Sequence, residues 1–388
     1  MIDTNEFCRK EYGEKLYKIS FDAGFFCPNR DGKAGSRGCI FCSLEGSGDF
    51  AVKLYDIDEN GNKIFVNKAE FEQRMTIAKA KVAKKYKGSR YIAYFQAFTN
   101  TYADVETLRR IYEPVIMRDD IAVLSIATRP DCLNDEIYAL LDELNKIKPV
   151  WVELGLQSIK PETINYIRRG YENKLYETAV LRLNEIGIHT ITHVILYLPG
   201  ETLEDMLNTV RFCVKAGTKG IKLQLLHILK GTDLEVDYNK NPEKFNIPSL
   251  EEYCKTVKQC TEVCPEDMVF HRLSGDAPKR LLVEPKWSSD KKHVMNALND
   301  TLKPSGPWYV YILKCGDGSF YTGSTNDVIK RFKSHDSAKG CKYTASHQPV
   351  ELVYKEELPS KREALKREYA IKQLTRKQKE SLVNTAHF

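Results

Sequence analysis

The sequence predicts an α/β protein in which a partial barrel of six parallel β/α units is followed by a small α+β domain. Over roughly the first 230 residues, short β-prone runs alternate with amphipathic stretches at intervals of about 25–40 residues, a pattern typical of parallel β/α units. The segment 301–306 (TLKPSG) then has the composition of a linker. A new β pattern begins at Trp308, which indicates a second domain.

The barrel elements follow from local composition and periodicity. Strands are expected where apolar and β-branched residues cluster, at 16–21, 91–96, 122–128, 150–156, 190–198 and 220–226. Helices are expected between them, at 104–118, 134–146, 162–186 and 204–216. Six units suit an open barrel better than the closed eight-unit form, and chemistry is expected at the carboxyl ends of the strands. Residues 250–300 are predicted to be helical and to pack on the barrel.

The C-terminal segment predicts a hairpin, two helices and a third strand. Asp317-Gly318 is a strong turn dipeptide between two β-prone runs. The helix after the hairpin is expected to be capped by Thr325 or Asn326. The strands and the second helix are expected at 309–314, 319–323, 350–354 and 361–373.

The composition is that of a globular protein without a membrane segment. Of the 388 residues, 42% are hydrophobic and 29% are charged. No apolar run approaches the roughly 18 residues of a membrane span, and the first residues lack the apolar core of a secretory signal. We therefore expect a cytoplasmic protein with no membrane partner, in which the 11 cysteines are reduced thiols or metal ligands.

The positive charge is concentrated at the C-terminus. Residues 307–388 contain 15 Lys or Arg and 9 Asp or Glu, whereas the other 306 residues contain 44 of each kind. A basic module on a neutral body indicates a polyanionic partner, above all nucleic acid, although a solvated helical surface has the same composition. The predicted domains are residues 1–300 and 307–388, joined by the linker 301–306.

Three cysteines lie on one glycine-rich loop directly after the first predicted strand. Cys39 and Cys42 have CxxC spacing, and the flexible spacer allows Cys27 to fold back as a third ligand. Three thiolates can hold three irons of a 4Fe–4S cluster and leave the fourth open. A structural zinc site is the alternative, but it normally needs four ligands, and no fourth ligand is obvious nearby, although Cys8 could be recruited.

This loop and its surroundings resemble the radical SAM superfamily, specifically its YhcC-like branch, which is related to the Elongator catalytic subunit. The resemblance implies that Cys27, Cys39 and Cys42 bind a 4Fe–4S cluster beside S-adenosylmethionine, with an electron donor such as flavodoxin or ferredoxin. It extends over residues 12–294 and includes KISFDAGFFCPNRDG, GCIFCSLEGSGDF, YFQAFTNTYA, SIATRPDCL, VELGLQS and HVILYLPGE.

The same resemblance suggests which residues contact S-adenosylmethionine. Gln96 and Asn100 occupy the place after the second strand where such proteins bind the methionine amino group, although the usual Gly-Gly-Glu form is absent. Glu153 and Gln157 would face the ribose or the methionyl part. The alternative for each residue is a structural one, in which a polar side chain closes a strand end through backbone hydrogen bonds.

Several other residues have a structural interpretation as well as a chemical one. His193 and His227 lie at or near strand ends and can serve the substrate, but a lone histidine there is more often a structural hydrogen-bonding group. Cys260 and Cys264 share one face of a predicted helix, and we expect them to be small buried hydrophobic residues rather than ligands of a second cluster.

The C-terminal domain contains side chains suited to phosphodiester hydrolysis. A tyrosine phenolate can act as a base toward water, an arginine can hold phosphate, and a glutamate can bind Mg²⁺. The domain resembles a GIY-YIG nuclease of the YhbQ-like branch, which implies catalytic roles for Tyr311, Tyr321, Arg331, His335 and Glu368. Glu368 matches the Mg²⁺ ligand of that family. The alternative is a nucleic-acid-binding domain without turnover.

The sequence therefore predicts a radical SAM enzyme with an appended endonuclease or nucleic-acid-binding module. Its expected chemistry is reductive cleavage of S-adenosylmethionine followed by hydrogen abstraction from an unidentified substrate, for which RNA is a candidate. One alternative is a nuclease in which the cluster is structural or redox-sensing. Another is a non-catalytic nucleic-acid-binding adaptor, against which the intact Tyr311, Arg331 and Glu368 argue.

Overall fold

The computed structural model describes residues 1–43, 46, 48, 50–303, 306–337 and 340–385. The chain forms two compact units, Met1–Leu302 and Lys303–Phe388, called here the barrel unit and the C-terminal unit. Each has a hydrophobic core of its own. Pro304 and Ser305 of the predicted linker lie outside the described residues.

The barrel unit is built from strands and helices that alternate along the chain. Its strands are β1 (Ile2–Asp3), β2 (Tyr17–Asp22), β3 (Val52–Lys53), β4 (Tyr55–Ile57), β5 (Lys63–Phe65), β6 (Tyr91–Phe95), β7 (Ile121–Thr128), β8 (Val150–Gln157), β9 (His189–Leu196), β10 (Gly220–Leu225), β11 (Ile228–Leu229), β12 (Val269–Arg272) and β13 (Leu282–Glu284). Its α-helices are α1 (Thr4–Tyr12), α2 (Lys68–Val82), α3 (Val105–Ile116), α4 (Asp135–Ile147), α5 (Pro161–Tyr166), α6 (Asn173–Glu185), α7 (Leu203–Ala216), α8 (Asp233–Lys240), α9 (Leu250–Glu262) and α10 (Lys291–Leu302).

Nine of these strands form one curled, parallel sheet in the order β1-β12-β10-β9-β8-β7-β6-β2-β3. The six strands from β2 to β10 follow one another in chain order across it, which confirms the predicted partial barrel. Every residue of β7 is buried, as expected for a parallel strand that is covered on both faces. Because the six strands β2 and β6 to β10 are parallel, their carboxyl ends meet at one rim of the sheet, where functional loops are expected.

The prediction of one continuous helix over 162–186 is wrong, because the structure has two helices there, α5 and α6. Arg168 and Gly170, between the two helices, have left-handed backbones with φ of 58° and 82°. The buried guanidinium of Arg169 holds this turn, since it donates to the carbonyls of Ser158 (2.8 Å) and Tyr171 (2.6 Å). The sequence did not predict this break, because the residues on both sides of it have a helical periodicity.

Residues 250–300 are not entirely helical, contrary to the prediction. The four residues of β12 lie between α9 and α10 and pair in parallel with both β1 and β10. This strand is too short to produce a recognisable alternation, and its position depends on partners far away in the chain. It extends the sheet beyond the six predicted strands.

The C-terminal unit contains an antiparallel three-stranded sheet and helices. Its elements are β14 (Trp308–Cys315), β15 (Phe320–Thr325), α11 (Val328–Asp336), α12 (Lys342–Ser346), β16 (Val350–Leu358), α13 (Lys361–Gln373) and α14 (Arg376–Asn384). The strand order is β15-β14-β16. The cap of α11 is Asp327, whose side chain accepts from the Lys330 N–H, and not the predicted Thr325 or Asn326. Helix α13 has the predicted bounds, because Ser360 caps its first turn.

Candidate functional site

The loop after β2 holds Cys27, Cys39 and Cys42 at the carboxyl end of the barrel strands. The Cys42 N–H donates to the Cys39 carbonyl (3.0 Å), and the Gly38 N–H donates to the Asn29 carbonyl (2.6 Å). The Asn29 side-chain amide also donates to Cys39 Sγ (3.4 Å). Burial, together with the charges of Cys42 and Cys27, raises the pKa of Cys39 to about 11. The three thiols therefore lie within one another's electrostatic field.

Two guanidinium groups flank these thiols. Arg30 donates to the Cys42 carbonyl (3.1 Å), and its charge opposes the effect of burial, which raises the pKa of the Cys42 thiol. The Arg129 charge acts in the same direction on Cys39. Arg129 is held by Asp131 through two hydrogen bonds of 2.9 and 2.7 Å. Arg30 on the cysteine loop and Arg129 after β7 thus place positive charge beside the thiols.

The number of thiols bears on the two metal hypotheses. A structural zinc site normally takes four protein ligands, whereas a 4Fe–4S cluster with one open iron takes three thiolates. The loop carries three free cysteines, Cys27, Cys39 and Cys42. Within the described ranges, no three or more His, Cys, Asp or Glu side chains are grouped so as to hold a single metal ion. In number, the thiols of the loop match a cluster with an open iron.

Asn100 lies beside the cysteine loop with an unused acceptor. The Thr99 N–H donates to the carbonyl of Phe26, which precedes Cys27 (3.3 Å). The Asn100 amide nitrogen donates to the carbonyls of Ala97 (3.0 Å) and Ala127 (2.9 Å). Its Oδ1 is buried and has no hydrogen-bond partner among the residues that the structure describes. A buried acceptor of this kind suits an ammonium donor such as the methionyl amino group.

Gln96 and Gln157 lie at the ends of β6 and β8, on either side of β7. The Gln96 N–H donates to the Phe21 carbonyl (3.2 Å), and its side chain is half-buried. Gln157 has a left-handed backbone with φ of 61°. Its amide lies over Gly155, where a Cβ would stand 2.5 Å from Nε2. Both amides are therefore located at the rim of the barrel.

Glu153 lies deeper, in the middle of β8, and is saturated with donors. Its Oε1 accepts from Lys18 Nζ (2.7 Å) and Ser125 Oγ (2.8 Å). Its Oε2 accepts from His193 Nε2 (2.7 Å) and from Lys222 Nζ. Lys18 is on β2 and Lys222 is on β10, so these contacts cross the concave face of the sheet. The predicted contact of Glu153 with S-adenosylmethionine would require one of these donors to move.

These residues form a charged layer inside the half-barrel. The layer consists of Lys18, Tyr94, Ser125, Glu153, His193 and Lys222, and Lys222 Nζ also donates to the Tyr94 hydroxyl (3.3 Å). Burial would raise the pKa of Glu153, but Lys18 and Lys222 hold it well below its usual range. Burial lowers the pKa of Lys222 well below its usual range against the opposing charge of Glu153. The interior is therefore chemically unlike the aliphatic filling of a closed barrel.

His193 and His227, the two histidines near strand ends, differ in their hydrogen bonds. Burial lowers the pKa of His193 to about 4, so its ring is neutral. Its Nε2–H donates to Glu153, and its Nδ1 accepts from the Gln224 amide (3.2 Å), which makes it a fully used structural group. His227 is half-buried, and its Nε2, which is closed to solvent, has no partner within the described part of the chain.

Sequence reasoning missed Lys18 and Lys222, although a signal was present. Both alternate with apolar residues along their strands, so each lies on the face opposite to the apolar residues that pack in the main core, which is the concave face of the sheet. Cys260, by contrast, is buried on α9 in the main hydrophobic core, as expected for a small hydrophobic residue.

In the C-terminal unit, one hydroxyl connects three of the predicted catalytic residues. The Tyr311 hydroxyl lies 2.9 Å from His335 Nε2, and Arg331 Nε donates to it (3.2 Å). His335 Nδ1 lies 2.7 Å from Thr344 Oγ1. Gly323 makes room for this arrangement, because a Cβ there would stand 2.5 Å from the Tyr311 oxygen.

The protonation states in this cluster follow from burial. Burial raises the pKa of Tyr311, and Arg331 partly offsets the effect. Burial, together with Tyr311, raises the pKa of Tyr321 to about 12. Burial lowers the pKa of His335, so its neutral ring can accept the Tyr311 proton at Nε2. The Tyr321 ring lies 5.0 Å from the His335 ring and completes the cluster.

Glu368, on the inner face of α13, is the carboxylate of this site. Its Oε2 accepts from Ser324 Oγ (2.5 Å), and its Oε1 accepts from Lys372 Nζ (2.5 Å). Its charge raises the pKa of Tyr311, so the two groups are close. An ionised carboxylate has about four lone-pair positions, which leaves capacity for a hard cation such as Mg²⁺.

Comparison with protein-family models places these sites in known classes. The Radical SAM superfamily model matches residues 26–213, and the Radical_SAM C-terminal domain model matches residues 218–304. The GIY-YIG catalytic domain model matches residues 307–381. The chain therefore belongs to the radical SAM superfamily and carries a GIY-YIG catalytic domain, which confirms both resemblances.

Individual relatives agree with this assignment. The chain is 40% identical over 304 residues to the uncharacterized protein YtqA of Bacillus subtilis, covering 78% of this chain and 90% of YtqA. It is 33% identical over 298 residues to protein YhcC of Escherichia coli, covering 76% and 90%. Elp3 of the archaeon Methanocaldococcus infernus shares the fold, with a TM-score of 0.52 and 13% identity, over 77% of this chain and 64% of that one. The chain thus spans less than two thirds of that Elp3 structure.

Over the ranges that the structure describes, no helix has both the length and the apolar character that a membrane crossing requires.

Proposed function

We propose that the barrel unit is an enzyme that holds a 4Fe–4S cluster on Cys27, Cys39 and Cys42 and binds S-adenosylmethionine beside it. Three thiols on one loop, flanked by two guanidinium groups and an unused buried acceptor, carry this proposal. Cys27, Cys39 and Cys42 would hold the cluster, which together with S-adenosylmethionine would supply radical chemistry for hydrogen abstraction from a substrate.

The chain's own residues have separate roles in this proposal. Asn29 donates to the Cys39 sulfur, and Arg30 and Arg129 offset the negative charge of the thiolates. Asn100 Oδ1, which has no partner among the described residues, would accept a hydrogen bond from the methionyl ammonium. Gln96 and Gln157 offer amide groups to the rest of the cofactor from the same rim. The charged layer lies deeper in the half-barrel, where Glu153 and Lys222 are closed to solvent.

We further propose that the C-terminal unit is a Mg²⁺-dependent nuclease. In hydrolysis the water oxygen bonds to phosphorus and the ester oxygen leaves with a proton from solvent. Neutral His335 takes the Tyr311 proton, so that the Tyr311 oxygen can take the proton from water, and Arg331 stabilises its charge. Glu368 would hold Mg²⁺, which neutralises the phosphate when bound.

The substrate class that the chain supports best for both sites is nucleic acid. The net positive charge is confined to residues 307–388, so this unit would supply most of the phosphate contacts. The barrel would then act on one nucleotide of the same molecule. Measuring 5′-deoxyadenosine release with and without total RNA, for full-length protein and a 1–302 truncation, tests this: RNA is expected to stimulate the full-length protein far more. Equal release in all four samples would contradict it.

The cluster proposal is tested by anaerobic reconstitution of the full-length protein. We expect about four irons and four sulfides per chain, bleaching by dithionite, and 5′-deoxyadenosine release from S-adenosylmethionine. Alanine at Cys27, Cys39 or Cys42 is expected to abolish all three signals, whereas the matched control Cys260→Ala keeps them. Stoichiometric zinc without sulfide would refute the proposal. A cluster that forms but releases no 5′-deoxyadenosine would favour the structural or redox-sensing alternative.

The nuclease proposal is tested by cleavage of structured DNA and RNA with Mg²⁺ or Mn²⁺. Glu368→Ala is expected to lose cleavage and to keep binding, because it removes the metal ligand and no positive charge. Arg331→Ala is expected to weaken both, since a phosphate contact serves ground and transition states. If Glu368→Ala cleaves as fast as wild type, the assignment of the metal site is wrong. Binding by wild type without any cleavage would favour the adaptor alternative.

A further inference from the structure

The outer face of α13 is an exposed surface that the nuclease site does not use. Arg362, Leu365, Lys366 and Tyr369 recur at helical spacing and therefore share one face. Leu365 is 49% exposed and Tyr369 is 68% exposed. With Lys361 these residues line a shallow depression of about 700 Å³. We call these five residues the outer patch.

The exposure of the outer patch is not a consequence of a loosely packed helix. The inner side of α13 is anchored by Ala364 and Ile371, which are fully buried with Val310 and Ile312 of the sheet. A large aromatic side chain on the opposite, solvent-facing side therefore contributes nothing to that core. The Tyr369 ring is therefore free to contact a ligand, and the cations of the outer patch lie beside it.

The cations of α13 differ according to the face on which they lie. Away from the outer patch, Arg367 pairs with Glu356 (2.7 Å) and Lys372 pairs with Glu368 (2.5 Å). In the outer patch, Arg362 has no ion pair among the described residues, and Lys366 has a long contact of 3.3 Å to Glu363. The outer patch thus contains three cations, Lys361, Arg362 and Lys366, and one carboxylate, Glu363, pairs with one of them. This uncompensated charge suits a polyanion.

We propose that the outer patch binds single-stranded nucleic acid, with one base stacked on Tyr369 and neighbouring phosphates held by Arg362 and Lys366. Positive charge interleaved with an exposed aromatic ring is the combination that binds single strands, because phosphates need cations and every base has a face that can stack. Tyr369 follows Glu368 directly, so a strand on the outer patch passes close to the nuclease site. The inference rests on the proposed action of this unit on nucleic acid, and adds that the substrate has an unpaired segment.

The test uses full-length protein and fluorescence anisotropy with a labelled single strand of about 12 nucleotides, as DNA and as RNA. Tyr369→Ala is expected to weaken binding about five- to tenfold, and Tyr369→Phe, which keeps the ring, is expected to bind like wild type. Arg362→Gln combined with Lys366→Gln is expected to make the affinity less dependent on salt. The negative slope of log affinity against log salt should decrease in magnitude by about 0.7 for each phosphate that the protein no longer neutralises. Lys377→Gln, which removes one exposed charge from α14, is the matched control.

The outcomes separate this inference from the proposed function. If wild-type protein binds neither single strands nor hairpins, the nucleic-acid function of the unit fails, and the inference fails with it. If wild type binds but the Tyr369 and Arg362/Lys366 variants bind as tightly as Lys377→Gln, only the outer patch is refuted. Loss of binding in the charge variants but not in Tyr369→Ala would refute base stacking. Because all the substituted side chains are exposed, equal melting temperatures verify that the variants are folded.

Discussion

Replacing Glu153 with alanine removes the carboxylate that Lys18 and Lys222 share inside the half-barrel. Breaking a buried ion pair by removing one partner costs about 3–5 kcal/mol, because the remaining charge stays buried. The Lys18 side chain is 23% exposed and can be partly hydrated, whereas that of Lys222 is 2% exposed. We expect a loss near the lower limit, about 3 kcal/mol, since Lys222 can release its proton instead of remaining charged.

The pH dependence of this loss has a definite sign. Burial already lowers the pKa of Lys222, and without Glu153 the folded-state pKa falls further. In the unfolded chain it returns to about 10.4. Between these two values the unfolded chain binds more protons than the folded one, so the stability of Glu153→Ala increases with pH. The variant is therefore expected to lose more stability at pH 6 than at pH 9.

The assay is urea unfolding followed by tryptophan fluorescence in a Trp308→Phe background. Trp151 and Trp287, the other two of the three tryptophans, lie in the barrel unit and report on it alone. With a slope of about 3 kcal/mol/M, a loss of 3 kcal/mol lowers the midpoint by about 1 M. The exposed Glu185 provides the matched control, and Glu185→Ala is expected to change stability by less than about 0.5 kcal/mol.

A second substitution distinguishes electrostatics from packing. Combining Glu153→Leu with Lys222→Met replaces the pair with apolar side chains of similar volume and is expected to recover much of the stability. A midpoint for Glu153→Ala within error of wild type, or a larger loss at pH 9 than at pH 6, would refute the reasoning.

Three further predictions concern Glu201, Gly323 and Tyr311. Burial raises the pKa of Glu201 to about 7, so the folded chain binds more protons than the unfolded one between about pH 4.5 and 7 and loses stability over that range. Glu201→Gln is thus expected to stabilise at pH 8 and to change little at pH 4, as measured by urea midpoints. Gly323→Ala places a Cβ 2.5 Å from the Tyr311 oxygen, and we expect at least about tenfold slower cleavage with an unchanged circular dichroism spectrum. Tyr311→Phe is expected to slow cleavage about 10²–10⁴-fold, with affinity in anisotropy titrations unchanged.

Local patterns were sufficient to predict the main elements. The six barrel strands follow the predicted order, and each is found within two residues of its predicted bounds, because apolar and β-branched residues cluster in each of them. Helix α13 matches its prediction at both ends, since Ser360 and the sequence after Gln373 mark them. The predictions of cluster, cofactor and nuclease residues rested on motif spacing and on resemblance, and their chemistry still awaits the experiments above.

The sequence by itself determined the order of the β/α units, the cysteine loop after the first of them and the basic C-terminal unit, since each is written in residues close together in the chain. The tertiary structure alone decided the break between α5 and α6, the place of β12 between β1 and β10, and the charged layer. In that layer, Lys18 and Glu153 are 135 residues apart and Glu153 and Lys222 are 69 apart. Such contacts have no local signature, because they depend on which strands the curled sheet brings to face one another.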